Sequence, residues 1–496
     1  MRQIGIIASG ASETSARVIL SEGEERKVKT EGLVLVENRN GGFIMAILRQ
    51  GLGSNENLKA GGYHPGVAYA RAGGKPSMAK ETYDFALSVI GEVEGGIKVE
   101  EPKEDEFVVV GEAEDSVQQN KKILAPGSPV YIFDSSDDPM KLLAGKRHVH
   151  RLGYYEGQPS WQVPVDSSFI PYHIGIFGST GAGKSFLARF QVIPLLQRAG
   201  YDVLVLDWKG RDYAPYFQPD QVLSIADIAL DVKTVANYLS KKMEYFGYRY
   251  GDGTVIQALE DFIYNEEWRR LGVEEFKKKL EEHMVKALNP KNITSGKPQE
   301  DVQRFKRGFK RLKDDDVKCI LGTKNPEDIL KLVREKHIIV IDMKRTGKDE
   351  KLSMFLSLAS YLMELMQSDL DLRLALVIDE GPQYCPFRPE GIEKDTTEMI
   401  IDLCALGRTH KLCICLLSQG IAGEIGINAA VRRNLNTQFV GKIHPLDMNE
   451  ASSWLSPFNI DPKFLLSLAP GHFYFMGSMN PSPVPILLTF DIKEER

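Results

Sequence analysis

Cysteine is scarce and unpatterned. The 496 residues hold five, Cys319, Cys385, Cys404, Cys413 and Cys415, an odd number without CxxC spacing. That argues against a disulfide framework and for reduced thiols in a chain kept in the cytoplasm. Cys413 and Cys415 alternate as they would on one face of a strand, but no second ligand pair lies near them to complete a metal site, so they read as core thiols. No stretch approaches the ~20 apolar residues of a membrane span. The opening MRQIGIIASGASETS has no apolar run behind a basic start, so no secretory leader is expected. A basic excess is also missing: 62 Lys and Arg face 68 Asp and Glu, a net charge of −6. The average surface therefore repels phosphate, and charge alone argues against a nucleic-acid partner. With 43% hydrophobic and 26% charged residues and only 44 Gly and 25 Pro, wholesale disorder is excluded.

At roughly 150 residues per domain, the length suggests about three domains' worth of chain. Up to about residue 168 the texture is β-rich, with short pieces at Leu33–Glu37, Phe43–Leu48, Phe107–Gly111, Pro129–Phe133 and His148–Leu152 between Gly, Pro and Asn-Gly turns. A small β-barrel or sandwich over 1–168 is expected. The acidic stretch Gly91–Ser116 reads as a solvated loop, and His148 and His150 as structural residues. From Tyr172 the texture changes. Apolar strands at Tyr172–Phe177, Asp202–Asp207, Ile338–Asp342, Leu374–Asp379 and Leu412–Ser418 alternate with amphipathic stretches, which predicts an α/β domain on a parallel sheet over 169–480. Residues 231–329 are rich in Lys, Glu, Leu and Phe at helical spacing and read as a helical insertion. The Pro-rich segment from Asn480 followed by ILLTF reads as an extended tail over 481–496 that packs on another part of the protein.

Gly178-Ser179-Thr180-Gly181-Ala182-Gly183-Lys184-Ser185 fits G-x-x-x-x-G-K-[ST], follows a predicted strand and opens the amphipathic run Phe186–Ala199. Glycines let backbone N–H groups wrap phosphates, Lys184 reaches the β- and γ-phosphates, and Ser185 supplies a ligand for Mg²⁺. The expected ligand is therefore ATP with Mg²⁺. Such a site needs a metal-side carboxylate and a group that polarises water. Asp379, ending an apolar strand, is the candidate for Mg²⁺, and the adjacent Glu380 is the candidate for water. An adjacent Asp-Glu favours a hydrolytic motor over a kinase. Gln419, at the end of Leu412–Ser418, reads as a sensor of the γ-phosphate. Arg408 follows a predicted helix end at Gly407 and has two readings, an arginine finger for a neighbouring subunit's γ-phosphate or a cation complementing the helix C-terminus.

Taken in order, the β-rich start, GSTGAGKS, the helical insertion, LVIDE and GRTHKLCICLLSQ resemble the HerA/FtsK family of DNA-pumping ATPases, and HerA-type proteins most. The resemblance implies a RecA-like P-loop ATPase core, an N-terminal β-barrel, and a homohexameric ring around double-stranded DNA. It also implies that the barrel docks a NurA-like nuclease for DNA end processing. It assigns the trans-acting arginine to Arg408, the sensor to Gln419 and the acidic pair to Asp379 and Glu380. Three departures stand out. No Arg precedes the phosphate-loop strand in Phe169-Ile-Pro-Tyr172-His173; Gly381-Pro382-Gln383 replaces the usual Ala-His after the acidic pair; and Asp207-Trp-Lys209-Gly210-Arg211 is closer to the Asp-x-Lys-Gly of conjugative coupling ATPases. A soluble ring motor for conjugation, secretion or anti-phage defence is the alternative.

A chain of negative net charge can still bind DNA through a local basic cluster. Arg304 to Lys313 holds six basic residues and no acid, with Phe305, Phe309 and Leu312 spaced to be buried on a helix. Its basic face reads first as solvated surface, with ion pairs to Asp314–Asp316, and second as a DNA contact. Lys209 and Arg211 are further DNA candidates.

Overall fold

Leu33-Val-Leu-Val-Glu37 is buried at every position but the last. Apolar residues buried at consecutive strand positions need cover on both faces and strand neighbours on both sides, and the surrounding chain supplies them. In the computed structural model, residues 1–55, 58, 65–74, 81–94, 98–99, 109–110, 116–145, 150–156, 158–230, 232–244, 253–265, 267–288, 298–310, 312–318, 320–344 and 346–492 are described. Cys319, His148, Phe107 and most of Gly91–Ser116 lie outside them. The chain divides into two units, one of Met1–Ile170, Ile176–Leu195 and Asn436–Arg496, the other of Pro171–Gly175 and Leu196–Leu435.

In the first unit the antiparallel order is Ser15–Leu20, Arg2–Ile7, Pro129–Ile132, Leu33–Glu37, Phe43–Asn55, Glu81–Val93. Glu81–Val93 pairs back onto Ser15–Leu20, with Val18 opposite Phe85, so the six strands close into a ring. Closure removes the sheet edges that would otherwise expose unpaired backbone. Ile4, Val18, Val34, Val36, Ile44, Leu48, Leu87 and Val130 fill its interior, each contributing roughly 1.5–3 kcal/mol on burial. Phe43–Asn55 runs well past the expected Leu48, following its long partner Glu81–Val93.

The same unit holds a second antiparallel array ordered Gln162–Val165, His150–Tyr155, Ile486–Thr489, His472–Met476, Thr437–Val440. Ile486–Thr489 is fully buried between two neighbours, so this part of the segment expected to be a tail is an internal strand. The turn before it is organised by Asn480, whose Nδ2 donates to the carbonyls of Phe475 at 2.9 Å and Val484 at 3.1 Å.

The second unit is built on a parallel sheet ordered Leu412–Ser418, Leu374–Ile378, Asp202–Asp207, Ile338–Asp342, Val222–Ser224. The first four are the predicted strands. The fifth, three residues long, is too short for any periodicity to announce it. The expected strand at Tyr172–Phe177 begins only at Ile174, because Ser167–Tyr172 forms a 3₁₀ helix around Pro171, which has no N–H to give a sheet.

Where described, residues 231–329 are predominantly helical, with helices Val232–Glu244, Gly253–Tyr264, Val273–Leu288, Pro298–Phe309 and Asp314–Lys318. The backbone clamps the base of this segment: Thr323 and Lys324 donate to the Asp227 carbonyl at 3.0 and 2.9 Å, and Ala229 donates to Lys324 at 2.7 Å. The next helix, Pro326–Lys336, starts at a reciprocal cap between Asn325 and Asp328 and leads into Ile338–Asp342. Phe305, Phe309 and Leu312 are buried as expected, and Lys306, Arg307, Lys310 and Lys313 are exposed. Among the described residues, the acids Asp314–Asp316 pair with lysines outside the basic run. Asp315 pairs with Lys318 one turn along its own helix, while packing of the insertion brings Lys277 to Asp314 and Lys242 to Asp316.

Candidate nucleotide-binding site

The phosphate loop belongs to the first unit. Ile174–Phe177 is buried throughout, and the chain then turns sharply through Gly181 and Gly183, whose φ values are +81° and +97°. Those left-handed angles suit glycine, and at Gly183 space is closed as well: a Cβ would lie 3.2 Å from both the Gly471 nitrogen and Ile492 Cδ1. The loop is fastened by the Ser179 N–H to Lys442 O at 2.6 Å and the Gly471 N–H to Ala182 O at 3.0 Å. A helical run starts at Lys184, opens into a π-turn over Ala188–Val192 and returns to an α-helix at Ile193–Arg198. Lys184 Nζ donates to the carbonyls of Gly178 at 2.8 Å and Ser179 at 3.3 Å. The ammonium thus lies folded over the loop it would share with a nucleotide.

The acidic pair belongs to the second unit. Asp202–Asp207 and Leu374–Ile378 are parallel neighbours with Leu206 opposite Ile378, so Asp207 and Asp379 leave adjacent strands at one level. The Asp207 carboxylate is buried with both oxygens bonded, accepting from the N–H groups of Gly210, Tyr213 and Ala214 at 2.9, 3.0 and 3.0 Å. Asp379 is buried too, but its Oδ2 has no hydrogen-bond partner. Burial, followed by the negative charges of Glu380, Asp212 and Asp207, raises its carboxyl to about 7. A buried oxygen of this kind suits a proton or a divalent cation, and hard carboxylate oxygen suits Mg²⁺. The residues therefore fit the ion that the phosphate-loop chemistry calls for.

Glu380 follows with φ +53° and ψ +49°. Its carboxylate accepts from Gln419 Nε2 on both oxygens, at 3.0 and 2.9 Å, and its Oε1 is ion-paired with Lys209. Burial acts against the Lys209 charge, and the bond to Glu380 more than offsets it, so the amine is raised above its ordinary value. Glu380 and Gln419 are thus brought together with a third group, Lys209, which the sequence offers only as a DNA-contact candidate. The signal in the sequence is that two apolar strands, Asp202–Asp207 and Leu374–Asp379, each end in an acid. Arg408 stands immediately after the helix Ile392–Gly407, exposed, with its guanidinium 5.0 Å from the Tyr172 ring centre. The position before the phosphate-loop strand is taken by His173, buried and hydrogen-bonded rather than cationic. Cys385, Cys404, Cys413 and Cys415 are buried free thiols, and burial pushes those of Cys404 and Cys415 up to about 12. Among the described residues no three His, Cys, Asp or Glu side chains converge as a metal cluster, and no helix is long and apolar enough to cross a membrane.

Residues 150–362 match the family described as the central domain of helicase HerA. The matched segment holds the phosphate loop and the strand Asp202–Asp207 and stops short of Asp379. Within it a buried strand leads through the glycine-rich loop into a helix, the strand–loop–helix arrangement of a P-loop nucleotide-binding domain, and over this stretch the chain is similar to that family. Solved structures similar to this chain include VirB4 of Thermoanaerobacter pseudethanolicus, at 16% identity over 69% of this chain and 96% of that one, with a TM-score of 0.47. The bacterial conjugative coupling protein TrwB in complex with sulphate matches at 14% identity over 72% and 93%, with a TM-score of 0.48. The genome packaging NTPase B204 of Sulfolobus turreted icosahedral virus 2 in complex with ATP-gammaS matches at 13% over 64% and 98%, with a TM-score of 0.31. At TM-scores below 0.5 these are distant likenesses. No curated protein matches.

Proposed function

We propose that this chain hydrolyses ATP as a homohexameric double-stranded DNA translocase or helicase that works with a NurA-like nuclease, docked on the N-terminal strands, in DNA end processing. The observation that carries the reading is the phosphate loop, Gly178–Ser185, inside a segment that matches the HerA central domain. In this reading Lys184 holds the β- and γ-phosphates, and Ser185 and Asp379 hold Mg²⁺, which neutralises charge on the phosphates when bound. Glu380 takes the proton of the attacking water, Gln419 orients that water or the γ-phosphate, and Arg408 of a neighbouring subunit completes the charge stabilisation. The negative net charge is compatible with a DNA motor, since a ring can present a few basic groups, repeated by symmetry, to the duplex while its exterior stays acidic.

A second reading, a HerA-like motor for conjugation, secretion or anti-phage defence, is favoured by Asp207-Trp-Lys209-Gly210, which is closer to coupling ATPases than to HerA. One experiment separates them. ATP turnover is measured with and without blunt duplex DNA, and the mass of the assembly is read with ATP and duplex present. Stimulation by duplex and six copies around it support the first reading. Turnover indifferent to duplex, or a monomeric mass, overturns it. Lys184→Ala is the control that should abolish turnover in either case.

A further inference from the structure

Lys209 is an unusual companion for a carboxylate meant to work on water. We propose that Lys209 is a positioning residue that, together with Gln419, restrains Glu380 in the resting chain and so suppresses idle hydrolysis. This rests on the reading of Glu380 as the group that takes a proton from water.

An ionised carboxylate only accepts hydrogen bonds, and a base acting on water must have a free lone pair facing that water. Here Oε1 carries both the Lys209 ammonium and Gln419 Nε2, and Oε2 carries Gln419 Nε2 again. Glu380 is moreover held in left-handed backbone, φ +53°, a conformation that a non-glycine residue keeps only where its surroundings enforce it.

The surroundings do enforce it. Lys209 sits on a built turn and not on a free surface loop. The buried Asp207 carboxylate gathers the N–H groups of Gly210, Tyr213 and Ala214. Gly210 has φ +64°, and a Cβ there would collide with the Asp342 carboxylate. Lys351, itself buried, donates to the Trp208 carbonyl at 2.7 Å and lies 4.3 Å from the Trp208 ring centre. Trp208 in turn meets Tyr384 edge to face at 5.2 Å. The Tyr384 N–H donates to the Gly381 carbonyl at 2.9 Å in the turn that follows Glu380, so the Trp208–Tyr384 contact ties the two turns that carry the ion pair. The backbone that aims Lys209 is rigid. Its side chain, 49% exposed against 13% for Glu380, is the part free to leave.

The test compares wild type, Lys209→Ala, Lys209→Arg and Glu380→Gln as full chains. Basal turnover of Mg·ATP without nucleic acid should rise about threefold or more in Lys209→Ala and stay near wild type in Lys209→Arg, which keeps the positive charge. A Lys209→Ala chain as slow as Glu380→Gln, or unchanged, overturns the proposal. A readout independent of turnover is acylation of Lys209 by acetic anhydride, followed by mass spectrometry. Its rate should rise about twofold or more in Glu380→Gln, where the partner charge is gone but the shape is kept. Equal rates mean that the pair does not form in solution and also overturn the proposal. A Glu380→Gln chain that hydrolyses ATP as fast as wild type sinks Glu380 as the base, and thereby the restraint argued from it, whatever the labelling shows.

Discussion

His173 accepts the backbone N–H of Ile414 on Nδ1 at 3.1 Å and gives its Nε2–H to the carbonyl of Cys404 at 2.8 Å. One buried imidazole thereby ties the strand Leu412–Ser418 to the helix Ile392–Gly407. Burial lowers its affinity for a proton, the Cys404 carbonyl opposes this and the Arg408 charge adds to it, leaving the ring at about 4. A second proton would sit on Nδ1 and face an N–H. The folded chain therefore refuses a proton that the unfolded chain accepts from about pH 6.5 downward, and stability is lost as pH falls from there toward 4. The loss attributable to this residue is about 2.5 kcal/mol by pH 4.5. Urea unfolding of wild type and His173→Asn at pH 7 and 4.5 checks it, Asn being tolerant of the φ of +70° found here. The wild type should lose more than the variant; equal losses contradict the assignment.

Gly183 and Gly181 make a controlled comparison within one loop. Both have positive φ, but a Cβ on Gly181 meets nothing within 4 Å, whereas one on Gly183 meets the Gly471 nitrogen and Ile492. Gly181→Ala carries backbone strain alone, on the order of 1 kcal/mol. Gly183→Ala adds displacement of the loop, and nucleotide affinity should fall on the order of tenfold or more, measured by titration with a fluorescent ATP analogue. Equal affinities for the two variants contradict the crowding argument.

Glu31 and Arg49 form a buried ion pair in the first unit, 4% and 1% exposed. Arg49 also donates to the Pro485 carbonyl at 2.6 Å, Tyr474 donates to Glu31 Oε1 at 2.8 Å, and Tyr155 donates to the Glu31 carbonyl at 2.6 Å. The network fastens the closed ring of strands to the C-terminal strands. Arg49→Met leaves a buried carboxylate without its cation and should destabilise the chain by about 3–5 kcal/mol. The double variant Arg49→Met, Glu31→Gln should lose less than the sum of the two single changes. Additive losses in chemical denaturation show that the pair is not coupled.

The apolar runs of the second unit were legible because parallel strands buried on both faces carry few polar residues, as in Leu374–Ile378 and Leu412–Ser418. The phosphate loop was legible because its glycines and lysine are contiguous. Contacts between distant segments were not. Lys209 and Glu380 are 171 residues apart, and their pairing depends on which strand lies beside which, an order that sequence spacing does not encode. The place of Ile486–Thr489 inside an array is hidden in the sequence for the same reason: its neighbours His150–Tyr155 and His472–Met476 leave no mark on its own residues. Pro171 does mark the delayed start of the strand at Ile174, a local signal outweighed by the apolar run after it.

Arg408 is presented over Tyr172 with 5.0 Å between guanidinium and ring centre. An exposed arginine at a helix end serves that helix's dipole in any case, so its removal alone does not reveal a role in trans. Stacking on an aromatic face does limit the arginine's freedom, which lowers the entropy lost on engaging a phosphate, and lysine cannot reproduce the planar fork. If Arg408 acts on a neighbouring subunit, Arg408→Ala and Lys184→Ala chains should each be inactive alone. A one-to-one mixture should recover about a quarter of wild-type turnover, because random assembly pairs an intact phosphate loop with an intact arginine at that share of interfaces. The turnover of the mixed oligomers is the measurement. No recovery, in oligomers shown to have exchanged subunits, rejects the trans role. An active Arg408→Ala chain leaves the helix C-terminus as its only task.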